Sequence, residues 1–159
     1  MSVALVAILF LVLGALAFRP SRSAYCAFVV LGILFFPARV GFHFRPQPCE
    51  FALDIPLVVF SLRNVGHIWR FAIFFLMSSA QVRSWRLRSQ LLIGLGAVVA
   101  MGIYVERAEG LTGEGHCRLR DLVPDLAGAA LGAVLLILWN LYQGRRPRPE
   151  VGARARQLD

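Results

Sequence analysis

Seven ionisable residues have types and spacings from which chemistry could be built. His67 and Arg70 are three apart, so on a helix they share a face. Asp121 and Asp125 are four apart, and Gly128 and Gly132 continue their stripe at helical spacing. Glu106 closes an apolar run upstream, and Arg118 and Arg120 stand just ahead of Asp121. A histidine beside carboxylates can move a proton near neutral pH, so any catalytic role falls to His67. The arginines suit an anionic lipid or glycan head group held by charged N–H donors. The third reading is a capped, salt-bridged network that only fixes helix packing. A divalent cation on His67, Glu106 and Asp121 would have acceptable ligand types. No metal-ligand spacing such as two histidines at i and i+4 occurs, however, and neither a metal nor another cofactor is expected. His43 and His116 read as solvated side chains. No glycine-rich phosphate loop, nucleophile elbow or paired-cysteine zinc motif is present.

The elements that must position these residues are apolar. Of 159 residues, 58% are hydrophobic and only 16% charged, with a mean hydropathy of +0.66. Ordinary soluble domains are roughly 45–50% apolar and about 25% charged. The bilayer is therefore the expected solvent, and an all-α, polytopic helical bundle of five spans the expected fold. The spans are read at about 2–18, 24–42, 65–82, 89–106 and 121–142, with an interfacial segment at 51–62. The run from Phe51 to Ala80 is divided because one helix of that length would be about 45 Å long, too long for a single crossing. Residues 2–18 are read as a retained helix rather than a cleavable signal peptide, because the positive charge, Arg19 and Arg22, follows the run instead of preceding it. Gly94, Gly96 and Gly102 are expected to be close-packing positions in the fourth span. Gly128 and Gly132, among Ala127, Ala129, Ala130 and Ala133, are expected to be the same in the fifth. Residues 144–159, rich in Arg, Pro and Gly, are read as a disordered basic cytoplasmic tail.

The formal net charge is +8, and all seventeen basic residues are arginine. They fall in short clusters between apolar runs, which is the pattern of a topology signal rather than of a nucleic-acid surface. Placing Arg19 and Arg22, then Arg83, Arg86 and Arg88, then the tail arginines in the cytoplasm puts the N-terminus outside and the C-terminus inside. The segments 43–64 and 107–120 then face outward, and most of the acidic residues lie in or beside them. Cys49 and Cys117 fall in those two loops. An oxidising exterior permits a disulfide between them, and two unpaired thiols is the competing reading.

The stretch from His67 to Gly132 resembles the VanZ-like integral membrane proteins. Three features carry the resemblance: His67 opening an apolar helix, Glu106 closing the next, and a stripe of the form Asp-x-x-x-(Asn)-x-x-Gly-x-x-x-Gly over Asp121, Asp125, Gly128 and Gly132. It covers a little under half the chain. Departures from the family pattern are Asp125 in place of its usual Asn, and Glu109 where a Gln is common. Glu114-Gly115-His116 stands where a Gly-Arg-Ser turn is expected, and Arg63-Asn64 where an Asp-Lys pair is frequent. The resemblance implies a multi-pass protein of the bacterial inner membrane, envelope-associated and linked in some members to glycopeptide or teicoplanin tolerance. The site expected from the residues is His67, Arg70, Glu106, Arg118, Arg120, Asp121 and Asp125. Its expected partners are the lipid bilayer and an anionic lipid or lipid-linked glycan. A membrane-embedded acid–base enzyme acting on a lipid head group and a purely structural scaffold are the alternatives.

Overall fold

The computed structural model describes residues 12, 14–16, 21–52, 54–113 and 117–144, without the side chain of Phe36. The span expected over 2–18 and the tail expected over 144–159 therefore lie almost entirely outside the described residues, as do Glu114, Gly115 and His116. From Arg22 onward, five helices follow one another among the described residues: α1 (Arg22–Arg39), α2 (Ile55–Ser61), α3 (Val65–Ala80), α4 (Leu87–Thr112) and α5 (Leu122–Gly144), the last preceded by a 3₁₀ turn, Leu119–Asp121. There is no strand among the described residues, only one isolated bridge between Glu50 and Arg118.

Among the described residues, two elements are long and apolar enough to cross a membrane: α4, and α5 together with its 3₁₀ turn. The pair α2 and α3 makes a third if its 70° bend is counted within one span, whereas α1 is apolar over a shorter stretch, Arg22–Phe35. The bend falls at the polar pair Arg63 and Asn64. Asn64 occupies the N-cap position of α3 without a side-chain hydrogen bond to the helix.

The boundary of α4 corrects one expectation. Glu106 does not close the helix, which runs on to Thr112. Its stop is Gly113, left-handed at φ +68°, whose N–H reaches back to the Glu109 carbonyl at 3.0 Å. The polar residues Arg107 and Glu109 favour the helix as strongly as any apolar residue, so polarity marks a change of surroundings and not a helix end.

α3 lies against both α4 and α5, most extensively against α5. Phe71, Phe74, Phe75, Val98 and Ala129 form the core. On α5 the glycines permit close approach: a Cβ at Gly128 would stand 2.5 Å from the Ile68 carbonyl oxygen, and one at Gly132 would stand 3.0 Å from that of Ala72. On α4, every fourth residue from Gln90 to Gly110 is buried, namely Gln90, Gly94, Val98, Gly102, Glu106 and Gly110. Gly94 meets Phe75 and Ser79 on α3, but Gly96 meets nothing within 4 Å. Two residues along, it has turned about 200° from Gly94 and faces outward. Of the three glycines expected to pack closely on this helix, only Gly94 and Gly102 do so.

Candidate functional site

The site lies at the end of the bundle where α4 finishes and α3 and α5 begin. Helix ends leave carbonyls without partners. Here an extended strap supplies them: the N–H of Arg45 bonds to the Leu111 carbonyl at 2.9 Å, and that of Gln47 to the Gly110 carbonyl at 2.8 Å. The strap ends in a disulfide, Cys49 to Cys117, that joins residues 68 apart in sequence. Gly110 makes room for it, since a Cβ there would stand 2.8 Å from that of Cys117.

Glu50 follows directly and is a hub. Its N–H bonds to the Cys117 carbonyl, and its own carbonyl accepts from Leu119 N–H. Its carboxylate takes Arg120 Nη1 at 3.0 Å on one oxygen and lies 3.2 Å from Arg118 Nε on the other. The Arg118 Nε–H is not aligned for a hydrogen bond, so that contact is an ion pair only. The backbone N–H of Arg118 points the other way and donates to Glu106 Oε2 at 2.7 Å. Buried Glu106, one turn before Gly110 on the inner line of α4, thereby ties the loop to the bundle.

One turn deeper, His67 Nδ1 is 3.0 Å from Asp125 Oδ1. The aspartate is 2% exposed, while the imidazole is about a fifth exposed and stacks on Phe71. Gly102 leaves the space Asp125 occupies, since a Cβ there would stand 2.9 Å from its Oδ2. An ionisable group at the edge of hydrocarbon is tolerated when paired, and His67 and Asp125 pair with each other. It also fixes the ring: Nδ1 is committed to the carboxylate, and Nε2 remains for a ligand or a proton.

Of the seven expected site residues, the structure brings five into one electrostatic neighbourhood: His67, Arg70, Glu106, Asp121 and Asp125. Asp125 bonds directly to His67, and the charges of Asp121 and Asp125 both act on Glu106. Arg70 is exposed on the same face of α3 and within electrostatic reach of the imidazole. Arg118 and Arg120 are a separate group whose side chains meet Glu50 rather than the histidine. Two participants were missed from sequence. Glu50 carried a signal, being next to Cys49, but only once the disulfide is known. Glu109, one turn beyond Glu106, is near enough for its charge to act on both His67 and Glu106. Among the described residues, no three His, Cys, Asp or Glu side chains converge as metal ligands do.

Among the described residues, fold and site together define an all-helical architecture with two apolar elements of membrane-spanning length, or three with the bent pair, and a disulfide-strapped polar rim at one end. Comparison with protein-family models, curated proteins and solved structures gives no match to this chain.

Proposed function

We propose that this chain is a VanZ-like, multi-pass protein of the bacterial inner membrane that binds an anionic lipid or lipid-linked glycan head group at the strapped rim, on the outer face. The reading takes five spans, with residues 2–18 as the first, the N-terminus outside and the C-terminus inside. Its link to the envelope, and to glycopeptide or teicoplanin tolerance, comes from the resemblance carried by His67, Glu106, Asp121, Asp125, Gly128 and Gly132.

The observation that supports it most directly is the His67–Asp125 pair. A buried carboxylate holds a partly exposed imidazole, and Arg70 stands one turn along the same helix face. His67 and Arg70 then contact the head group, Asp125 orients the ring, and Arg118 and Arg120 with Glu50 hold the loop that frames it. A phosphate is the chemistry such a pair takes, through charge-assisted N–H donors.

Native mass spectrometry of the whole protein in mild detergent, titrated with an isoprenoid phosphate, tests this. Binding near one equivalent is expected, weakened about tenfold or more in Arg70→Gln, the loss of one charge-assisted hydrogen bond. Unchanged binding in both Arg70→Gln and His67→Gln removes the site. A folded, normally abundant Glu106→Ala, Asp121→Ala double variant with an unaltered envelope phenotype leaves only the scaffold. The same His67–Asp125 geometry also favours a second reading, acid–base chemistry on a lipid head group, because an aspartate-held imidazole is the arrangement of a general base. His67→Gln separates the two, since turnover is lost while head-group binding through Arg70 persists.

A further inference from the structure

The opposite end of the bundle carries a different surface. Buried Gln90 sits at the start of the inner line of α4, and its Nε2 donates to the carbonyls of Arg83 at 3.1 Å and Trp85 at 2.9 Å. The backbone carbonyl of Gln90 accepts from Ser79 Oγ at 3.0 Å. One buried amide thus ties the backbone of the α3–α4 turn inward, while Arg83, Ser84, Trp85, Arg86 and Arg88 stay exposed. Arg22, at the first turn of α1, lies at this end too, where Tyr25 bonds to Ser78 near the end of α3. So do Trp139 and Tyr142, exposed in the last turns of α5.

Charge is segregated along the molecule. Among the described residues, every acidic side chain (Glu50, Asp54, Glu106, Glu109, Asp121 and Asp125) belongs to the strapped end, so no carboxylate faces Arg83, Arg86 or Arg88. We propose that the turn from Arg83 to Arg88 is a binding surface for anionic phospholipid, with the guanidinium groups on the phosphates and Trp85 seated among the head groups. Three observations carry it. The backbone of the turn is held at Arg83 and Trp85 by a buried amide, no carboxylate among the described residues lies at this end, and three exposed arginines flank an exposed indole in sequence at the end of membrane-length helices. Guanidinium forks match phosphate geometry, and tryptophan settles at the hydrocarbon–water boundary. That aromatic company at a bilayer edge favours phospholipid over a soluble polyanion.

Trp69→Phe and Trp139→Phe in the full chain leave Trp85 as the sole tryptophan of the three. This protein is placed in phosphatidylcholine vesicles doped with either brominated phosphatidylglycerol or brominated phosphatidylcholine. Quenching of Trp85 per mole of brominated lipid is expected to favour phosphatidylglycerol. The preference should fall by roughly fivefold for each of Arg83→Gln, Arg86→Gln and Arg88→Gln. In the chain with all three arginines, it should shrink as salt is raised from about 0.1 M to about 1 M. Equal quenching by the two lipids overturns the proposal, as does a preference that salt leaves unchanged, and neither result depends on how any arginine variant folds. A chain keeping only Trp69 reports on the His67 end, so failure here and failure of the head-group reading are distinguishable.

Discussion

At the scale of single residues, the site depends on what neighbouring positions lack. Asp125 can be buried beside His67 because Gly102 has no side chain, and α3 and α5 meet because Gly128 and Gly132 have none. Gly128→Ala would place a methyl 2.5 Å from the Ile68 carbonyl, on backbone that cannot rotate away. It should cost about 1–3 kcal/mol in a detergent unfolding titration, and it should also weaken head-group binding by parting His67 from Asp125. Gly96→Ala is the matched control. Its Cβ meets nothing within 4 Å, so the same titration should find it unchanged or more stable by up to about 1 kcal/mol, the helix-propensity gain. Asp125→Ala tests the polar side of the argument. It strips the imidazole of its partner and should cost about 1–3 kcal/mol, with head-group affinity lowered alongside. A variant as stable as the parent would mean the pair holds nothing in place.

At the scale of elements, the strap does what the helices cannot. α4 ends with the carbonyls of Gly110 and Leu111, which the extended segment Arg45–Gln47 reaches, and the Cys49–Cys117 bond joins the end of that segment to the loop after α4. A cross-link over 68 residues restrains the unfolded chain by about 4 kcal/mol in the loop-entropy account. Cys49→Ser with Cys117→Ser should therefore lower the thermal midpoint markedly. It should also speed amide hydrogen exchange over 43–50 and 108–113 while leaving the α3–α5 interface protected. Uniform loss of protection would show that the strap belongs to the core and is no separate unit. Much of this architecture was legible beforehand, because hydrocarbon allows few alternatives: α3, α4 and α5 begin within two residues of where apolar periodicity puts them, and the stripe Asp125, Gly128, Gly132 packs as a stripe. The rest depended on contacts distant in sequence. Nothing near Glu106 announces that its partner is the backbone of Arg118. Nothing near Arg118 and Arg120 announces Glu50, which the disulfide brings across from the far side of three helices.

At the scale of the whole molecule, the two ends differ in kind. The strapped end mixes Arg39, Arg45, Arg63, Arg70, Arg107, Arg118 and Arg120 with all the described carboxylates, whereas the opposite end has Arg22, Arg83, Arg86 and Arg88 and no described acid. Counting arginines alone discriminates the ends weakly, since each has several. Their pairing discriminates better, because a guanidinium already matched to a carboxylate contributes less to the field at a membrane surface. The disulfide adds a reason independent of charge, since such bonds persist where the surroundings are oxidising. The proposed orientation, with the strap outside and the arginine turn inside, rests on both arguments. With Cys26→Ser removing the free thiol and Cys49 tied to Cys117, Phe44→Cys and Ser84→Cys place one reporter at each end. An impermeant maleimide should label Phe44→Cys in intact cells, and Ser84→Cys only after the membrane is opened. The reverse pattern would turn the molecule over. The His67–Asp125 pair would then face the cytoplasm, out of reach of any outer-leaflet head group, and the proposed envelope role would fail. Anionic lipid at the arginine turn would survive that inversion, because its chemistry depends on uncompensated charge beside Trp85 and not on which leaflet supplies the phosphate.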